Sequence, residues 1–448
     1  MNIRRILQIG GIAMQKVLFM SFFILFIDGC YEGRKWNNPA DPNASKEETK
    51  DTKTSSKTSG TSSSGETTTD PQTAIGTPDE GSTDTGVACL TGNCNPHAGT
   101  EFNFSEVFSV TPSGCSSVSE VRFFDNGSEI ISFVGANCGE RRHVYAVRTS
   151  YSGEPIGTPT TLTSDCTGTT TGVSTFSVDK GSSGYLLAYE CKTTASSYVT
   201  KVVPVSTSGT PGTASTYETL SSSTSDRYYT MIWNSTAGVY GLARNGKFQR
   251  FNETGFAVGG PVAIADTTFW QLTVVNDSWF ILQQADDGWW TQICSKISKV
   301  GNLQFNATKI DGRNILSAND YLSVDGFGRV VIFDAGSQEF SIADLDPDLC
   351  TISNRSKAYP LSSRISDVFN PKNVTSTTSS IIAKMQNKSL VMATYPGTET
   401  FSILGESSIT GFNSVLNDAT ISIIDGKIYV GFDKDGNGYI SYSNDPIQ

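Results

Sequence analysis

Residues 184–190, GYLLAYE, form a short apolar run with polar turn residues on both sides, a pattern that predicts a strand buried on both faces. Six similar runs occur along the chain. The seven runs are Glu129–Val134, Gly184–Glu190, Gly238–Arg244, Ser278–Gln284, Gly328–Asp334, Lys388–Tyr395 and Gly426–Phe432. Their first residues are 55, 54, 40, 50, 60 and 38 residues apart, which is typical of the four-stranded blades of a β-propeller. Each run is predicted to be the second strand of its unit.

The two ends of this repeat indicate how a ring would close. The seventh unit starts near Ala419 and has room for only three strands before Gln448, whereas Phe102–Val110 is a strand that precedes the first unit. Pairing of that strand with the last unit would remove the open edges of the array. The sequence therefore predicts an all-β, seven-bladed β-propeller similar to those of secreted bacterial proteins. Two β-sandwich domains are the alternative, since unrelated hairpins would also give uneven intervals.

The N-terminus has the pattern of a targeting signal. Residues 17–27, VLFMSFFILFI, form an apolar run that is too short to span a bilayer. Residues 27–30, Ile-Asp-Gly-Cys, follow it and resemble the lipobox of bacterial lipoproteins. The resemblance implies a signal peptide over residues 1–29, with Met14 as the true start, and a palmitate-type lipid on Cys30. Tyr31, where inner-membrane lipoproteins carry Asp, implies the outer membrane or cell surface. An ordinary secretory signal with Cys30 in a disulfide is the alternative.

A polar segment separates this signal from the strands. Residues 30–40 would be the lipidated N-terminus, and residues 41–100 form a Ser/Thr-rich linker that contains a short Cys89–Cys94 loop. Its stretch 41–88 has no aromatic residue and no apolar periodicity, so it cannot offset its ordering entropy by burial and is predicted to be a tether. The propeller-like domain is predicted over residues 101–448.

The cysteine count agrees with an exported protein. Eight cysteines remain after Cys30, an even number that predicts disulfides, with pairing of consecutive cysteines as the simplest arrangement. A metal cluster would need paired CxxC spacing, which is lacking. The disulfide candidates are Cys89, Cys94, Cys115, Cys138, Cys166, Cys191, Cys294 and Cys350.

Composition excludes several function classes. The net charge is −11, which argues against a surface that tracks nucleic-acid phosphates. His97 and His143 are the only histidines, so most zinc sites and histidine-based catalytic triads cannot be assembled. We therefore predict no catalytic residue, and a binding protein is favoured over an enzyme.

Calcium is the one candidate cofactor. Residues 433–441, DKDGNGYIS, place oxygen-bearing side chains at alternate positions around a Gly, as in the first half of an EF-hand loop. The ligand candidates are Asp433, Asp435, Asn437, Tyr439 and Ser441, which would suit a calcium-dependent adhesin. A hairpin turn is the alternative, because Asp and Gly both favour tight turns.

Two further patterns concern glycans. Residues 177–181, SVDKG, are similar to the first half of the Asp box of sialidase-type propellers, which implies a secreted glycan hydrolase as the alternative function. Trp289 and Trp290 would offer an aromatic surface for a ligand. The leading hypothesis is a lipid-anchored cell-envelope protein whose disulfide-stapled propeller binds an unknown protein or glycan.

Overall fold

The computed structural model describes residue 104 and residues 106–443 with gaps. The gaps are residues 140, 167–171, 195–196, 221–229, 245, 266–267, 285–290, 311–319, 335–337, 357–358, 362–364, 369–371, 374–378, 386–389, 396–401 and 408–416. The chain divides into two units, residues 1–78 and 79–448, and every described residue belongs to the second. Among these residues, no helix has the length and apolarity needed to cross a membrane.

The described strands pair in seven antiparallel sheets, numbered I to VII in chain order. Sheets I to IV are four-stranded meanders. Sheet I contains β2 (Ser116–Asp125), β3 (Ile130–Asn137), β4 (Arg142–Thr149) and β5 (Thr160–Thr161); sheet II contains β6 (Val173–Lys180), β7 (Gly184–Thr194), β8 (Ser197–Ser206) and β9 (Ser215–Leu220); sheet III contains β10 (Thr230–Asn234), β11 (Val239–Arg244), β12 (Lys247–Phe251) and β13 (Ala257–Ala263); sheet IV contains β14 (Thr268–Val275), β15 (Ser278–Gln284), β16 (Gln292–Ile297) and β17 (Leu303–Lys309).

Sheets V to VII vary this plan. Sheet V contains β18 (Asp320–Val324), β19 (Arg329–Asp334), β20 (Glu339–Asp346), β21 (Thr351–Ser353) and β22 (Tyr359–Pro360); sheet VI contains β23 (Ile365–Val368), β24 (Lys372–Asn373), β25 (Ser379–Met385), β26 (Leu390–Tyr395) and β27 (Ser402–Ser407); sheet VII contains β28 (Asn417–Ile424), β29 (Lys427–Lys434), β30 (Asn437–Tyr442) and β1 (Glu106–Ser109). In sheets V and VI, β22 and β24 pair beside the main path, with β20 and β25.

The ring is closed by the N-terminal strand. Strand β1 runs antiparallel to β30, with Glu106 opposite Tyr442 and Ser109 opposite Tyr439. The first strands of neighbouring sheets also contact each other, as β6 contacts β10 and β28 contacts β2. These features confirm the prediction of an all-β propeller and of closure by the strand before the first unit. The strands do not form two sandwiches.

The apolar core lies between neighbouring sheets. Phe133 of sheet I, for example, packs with Tyr185 of sheet II, and Phe248 of sheet III packs with Trp279 of sheet IV. Second strands such as β11 are buried at every position, because sheets cover both of their faces. The outer strand β13 is largely exposed. The apolar runs therefore identified strands with neighbours on both sides.

One predicted strand order is wrong. The run Lys388–Tyr395 was expected to be the second strand of its unit, but β26 is the third strand along sheet VI, between β25 and β27. Its neighbour β25 has a similar sequence, SSIIAKM. Two adjacent apolar strands look alike in sequence, because apolarity reports burial and not the order of strands in a sheet.

Three disulfides link consecutive cysteines, as predicted. Cys115–Cys138 closes 23 residues within sheet I. The other two join neighbouring sheets: Cys166–Cys191 connects the segment after β5 to β7, and Cys294–Cys350 connects β16 to the turn after β20. Cys89 and Cys94 lie outside the described residues. The bonds thus staple sheet I to II and sheet IV to V.

Candidate interaction surface

The first and third turns of each meander lie at the same edge of the sheets, which we call the turn face. Hydrogen bonds join turns of neighbouring sheets there. Asn126 Nδ2 in sheet I donates to the Thr207 carbonyl of sheet II at 2.9 Å, and Asn234 Nδ2 in sheet III donates to the Asp277 carbonyl of sheet IV at 2.8 Å. The turns of successive sheets therefore form one continuous surface.

The third turn has the same construction in sheets I to IV. It starts with Ser or Asn, whose side-chain oxygen accepts a hydrogen bond from the N–H four residues later, and it has a Gly at the third position after that residue. The four acceptor and donor pairs are Ser150 and Glu154 (3.0 Å), Ser206 and Thr210 (3.1 Å), Asn252 and Phe256 (2.8 Å), and Ser298 and Asn302 (3.0 Å). Sequence analysis missed this repeat, although the pattern Ser/Asn-x-x-Gly was present to be found.

The glycine of this turn packs against the preceding sheet. Gly153 has φ +89°, and a Cβ there would lie 2.4 Å from Cγ of Phe108 on β1. Gly301 has φ +92°, and a Cβ there would lie 2.5 Å from Nε of Arg250 on β12. Both the backbone conformation and the space therefore favour Gly. The repeat fixes the distance between neighbouring sheets at the turn face.

Glu253 is a further link between sheets. Its carboxylate in sheet III accepts hydrogen bonds from the backbone N–H groups and hydroxyls of Ser182 and Ser183 in sheet II, at 2.6–3.1 Å. Burial alone would raise the pKa of Glu253, but the serine hydrogen bonds outweigh it and hold this pKa below its ordinary value. The carboxylate therefore connects the third turn of sheet III to the first turn of sheet II by hydrogen bonds.

Large exposed apolar side chains of the described residues concentrate on the turn face of sheets III to V. Phe256, Val300 and Leu349 lie in the third turns of these three sheets and are 65%, 59% and 67% exposed. Leu303, at the start of β17, and Phe327, in the first turn of sheet V, are 40% and 38% exposed. We call these five side chains the apolar rim. A group of this kind is the usual mark of an interaction surface.

Three ion pairs lie beside the rim. Lys296 binds Asp348, which is next to Leu349, and Arg329 also lies over the ring of Phe327 at 4.7 Å. The three ion pairs near the rim are Lys296–Asp348, Lys299–Asp277 at 3.7 Å and Arg329–Asp325 at 2.7 Å. These three pairs add no net charge, whereas Arg250, whose Nη1 donates to the Lys299 carbonyl at 3.2 Å, adds a positive charge beside the rim.

The proposed calcium ligands lie on a β-hairpin. Strands β29 and β30 are joined by a two-residue turn at Asp435, which has φ +50°, and Gly436. Asp433 is opposite Gly438, so its side chain lies on the other side of the sheet from Asn437, Tyr439 and Ser441. The hairpin does not bring the five candidates together. Within the described part of the chain, no three His, Cys, Asp or Glu residues converge as a metal site.

The residues of the partial Asp box join two sheets. Ser177 Oγ accepts a hydrogen bond from the Met231 N–H at 3.0 Å, and Asp179 Oδ2 accepts one from the Trp233 N–H at 2.6 Å. Both donors are on β10 of the next sheet. The motif therefore contributes to packing between sheets II and III.

Several predicted site residues fall outside the described part of the chain. Cys30, Trp289 and Trp290 are among them. Trp279 is described and is fully buried, so it offers no ligand surface. His143 Nδ1 donates a hydrogen bond to the Thr163 carbonyl at 3.1 Å.

Comparison with known proteins adds similarities of fold only. No family model matches the chain, and no curated protein matches it. Solved structures that resemble it include virginiamycin B lyase from Staphylococcus aureus, with 8% identity, 75% of this chain and 98% of that chain covered, and a TM-score of 0.45. The β-propeller domain of Cps50 (Swd1) from Myceliophteria thermophila has 9% identity, coverage of 77% and 99%, and a TM-score of 0.44. The BBS1N chain from a complex with ARL6DN has 11% identity, coverage of 76% and 96%, and a TM-score of 0.45.

Proposed function

We propose that this chain is a lipid-anchored protein of the bacterial cell envelope that displays a disulfide-stapled propeller as a binding module. Cys30 is lipidated on its sulfur, the signal peptide is then cut before Cys30, and the new amino group is acylated, while residues 41–100 act as the tether. The partner is a protein or a glycan outside the cytoplasm. Calcium-dependent adhesion and glycan hydrolysis are the alternatives to this proposal.

The disulfides are the observation that carries the proposal. Three bonds connect cysteines that lie 23, 25 and 56 residues apart. Such bonds form and persist in oxidising compartments, such as the periplasm and the cell surface. An exported domain needs a signal, and the apolar run of residues 17–27, which precedes Cys30, fits one.

The buried acidic groups support a binding module over a hydrolase. Glu190, which is 1% exposed, accepts hydrogen bonds from Arg244 at 2.7 Å and from Ser174 Oγ at 2.8 Å. A hydrolase would instead need carboxylates that reach a bound substrate. Arg142 on β4 donates to the Ser174 carbonyl of β6 at 2.7 Å. These groups serve the packing between sheets.

We also propose that the seven sheets are seven blades of one closed ring. The number rests on the seven sheets of the described strands, and the contact of β28 with β2 and the pairing of β1 with β30 support closure. An experimental structure of the chain would test it. A ring in which one sheet lies outside the circle would contradict it.

Metabolic labelling with an alkyne analogue of palmitate in a Gram-negative host tests the anchor. We expect labelling of the wild-type chain and none of Cys30→Ala, because the thiol is the attachment point. Cys89→Ala is the matched control and should be labelled normally. Unchanged labelling of Cys30→Ala would overturn the proposal.

Met14→Ala should abolish production of the chain if Met14 is the start, whereas Met1→Ala should not.

A further inference from the structure

The polypeptide enters the propeller at the face that carries the apolar rim. Strand β1 begins with Glu106, opposite Tyr442 at the end of β30. That end lies beside the first turn of sheet VII, since the Ser443 N–H donates to the Ile428 carbonyl at 2.9 Å. The segment before residue 106 therefore joins the domain at the turn face. A membrane that holds Cys30 would be connected to this face.

Addition of a partner strand does not explain the rim. The outer strands next to it, β13 and β17, both have features that protect an edge. β13 contains Pro261 and a register shift against β12, and Gly259 has φ +74°. β17 has two register shifts against β16, and Ala307 has φ +50°. These edges are poorly suited to a regular ladder with another chain.

The rim instead consists of separate tips on well-defined turns. The Phe256 N–H donates to Asn252 Oδ1. Val300 lies inside the turn that the hydrogen bond from the Asn302 N–H to Ser298 Oγ closes. The Cys294–Cys350 disulfide holds the turn of Leu349. The side chains at these three turns are 59–67% exposed and are spread over three neighbouring sheets. This spread suits a broad, deformable partner surface better than a single small-molecule pocket. Because three of the nearby positive charges have carboxylate partners, the approach of these pairs to a low-dielectric boundary is less costly.

We propose that the apolar rim inserts into the interfacial layer of the bilayer to which the chain is anchored. This inference rests on the proposed anchor at Cys30. Few apolar side chains bind a bilayer weakly by themselves, but a tether raises their effective concentration at its surface, and two weak attachments together hold a protein firmly. The ion pairs of the rim have no net charge and Arg250 adds one positive charge, so the rim fits a zwitterionic or weakly anionic lipid surface. The opposite edge, near Ser116 and Asn437, then faces away from the membrane and presents the partner-binding surface.

Photo-cross-linking of the full-length protein tests the orientation. The lipidated chain is placed in vesicles of phosphatidylethanolamine and phosphatidylcholine that contain a diazirine-bearing phospholipid, and lipid adducts are mapped by mass spectrometry. We expect adducts on the turns at residues 252–256, 298–302 and 346–350. Val300→Asp should lower the adduct yield of these turns about tenfold, because a carboxylate must leave water for the rim to insert. Thr194→Asp makes the same charge change at an exposed residue that ends β7 at the opposite edge, and it should leave the yield unchanged.

A second arm separates the rim from the lipid. Here the chain carries a hexahistidine tag in place of Cys30 and is held on the same vesicles by a nickel-chelating lipid. Adducts on the three turns in this arm would support insertion even if Cys30 proves not to be lipidated. Adducts confined to the N-terminal segment would overturn the proposal and leave the anchor intact. Protein-to-protein cross-links between the turns of two copies would also overturn it, in favour of a dimer.

Discussion

Replacement of Gly153 by Ala should open the ring at its closing strand. The left-handed backbone at φ +89° costs about 1–2 kcal/mol for a residue with a side chain. The new methyl would also lie 2.4 Å from Cγ of Phe108, and overpacking of this kind costs about 1–3 kcal/mol more. We therefore expect Gly153→Ala to lower the free energy of unfolding by about 2–5 kcal/mol.

Gly127 provides the matched control for this change. It lies in the first turn of the same sheet and has φ +84°, but a Cβ there would have no atom within 4 Å. Gly127→Ala should therefore cost only the backbone term of about 1–2 kcal/mol. The free energies are measured by equilibrium urea unfolding, with the disulfides intact and tryptophan fluorescence as the signal.

A double-mutant cycle identifies the physical cause. If the methyl clashes with the Phe108 ring, Phe108→Ala should relieve part of the damage in the Gly153→Ala background. The coupling energy should then be about 1–3 kcal/mol. Equal losses for Gly153→Ala and Gly127→Ala, together with additive behaviour of Phe108→Ala, would refute the reasoning. Packing of the turn against β1 would then have no part in ring closure.

Two further predictions concern pairs within and between sheets. Removal of the Cys294–Cys350 disulfide by serine substitutions should lower the free energy of unfolding by about 4 kcal/mol, since it closes 56 residues, and the 23-residue disulfide of sheet I should contribute about 3 kcal/mol in the same urea assay. The hydrogen bonds from Arg148 hold the pKa of Glu129 below its ordinary value despite burial. The ionised carboxylate therefore stabilises the fold at pH values above the pKa that Glu129 has in the unfolded chain. This stabilisation is lost as the pH falls through the lower pKa of the folded state. The stability difference between wild type and Glu129→Gln should therefore be constant above about pH 5.5 and shrink towards pH 3, and a difference that grows on acidification would contradict the pairing.

The sequence predicted the parts of the fold that depend on burial and on chain ends. Apolar runs such as Gly184–Glu190 identified strands covered on both faces, and the missing fourth strand of the last unit identified β1 as its replacement. The position of Lys388–Tyr395 within sheet VI was wrong, since hydrophobicity does not specify which of two adjacent apolar strands comes first.

The candidate surface could be predicted only in part. The Ser/Asn-x-x-Gly turns were recognisable as a repeat, because each is a local structure that its own residues encode. The apolar rim was not, since Phe256 and Leu349 are 93 positions apart in the chain and come to lie on the same face only when the sheets are arranged in order. Side chains alternate between the two faces of a hairpin, so a two-residue turn at Asp435 and Gly436 places Asp433 and Asn437 on opposite faces. This alternation can be inferred from the sequence, and it weakens the calcium hypothesis.

Closure and anchoring depend on the same short strand. β1 is the outer strand of sheet VII and the first described strand of the chain, so under the proposed anchoring a pull on the N-terminus acts first on its pairing with β30. Strand β1 starts with Glu106 at the turn face and runs towards the opposite edge. A pull directed away from the turn face therefore acts along the strand. Such a pull loads all hydrogen bonds between β1 and β30 at the same time. The contact between Phe108 and the turn at Gly153 adds sheet I to this resistance. An anchored ring therefore benefits from closure by its N-terminal strand, because the load passes into two neighbouring sheets.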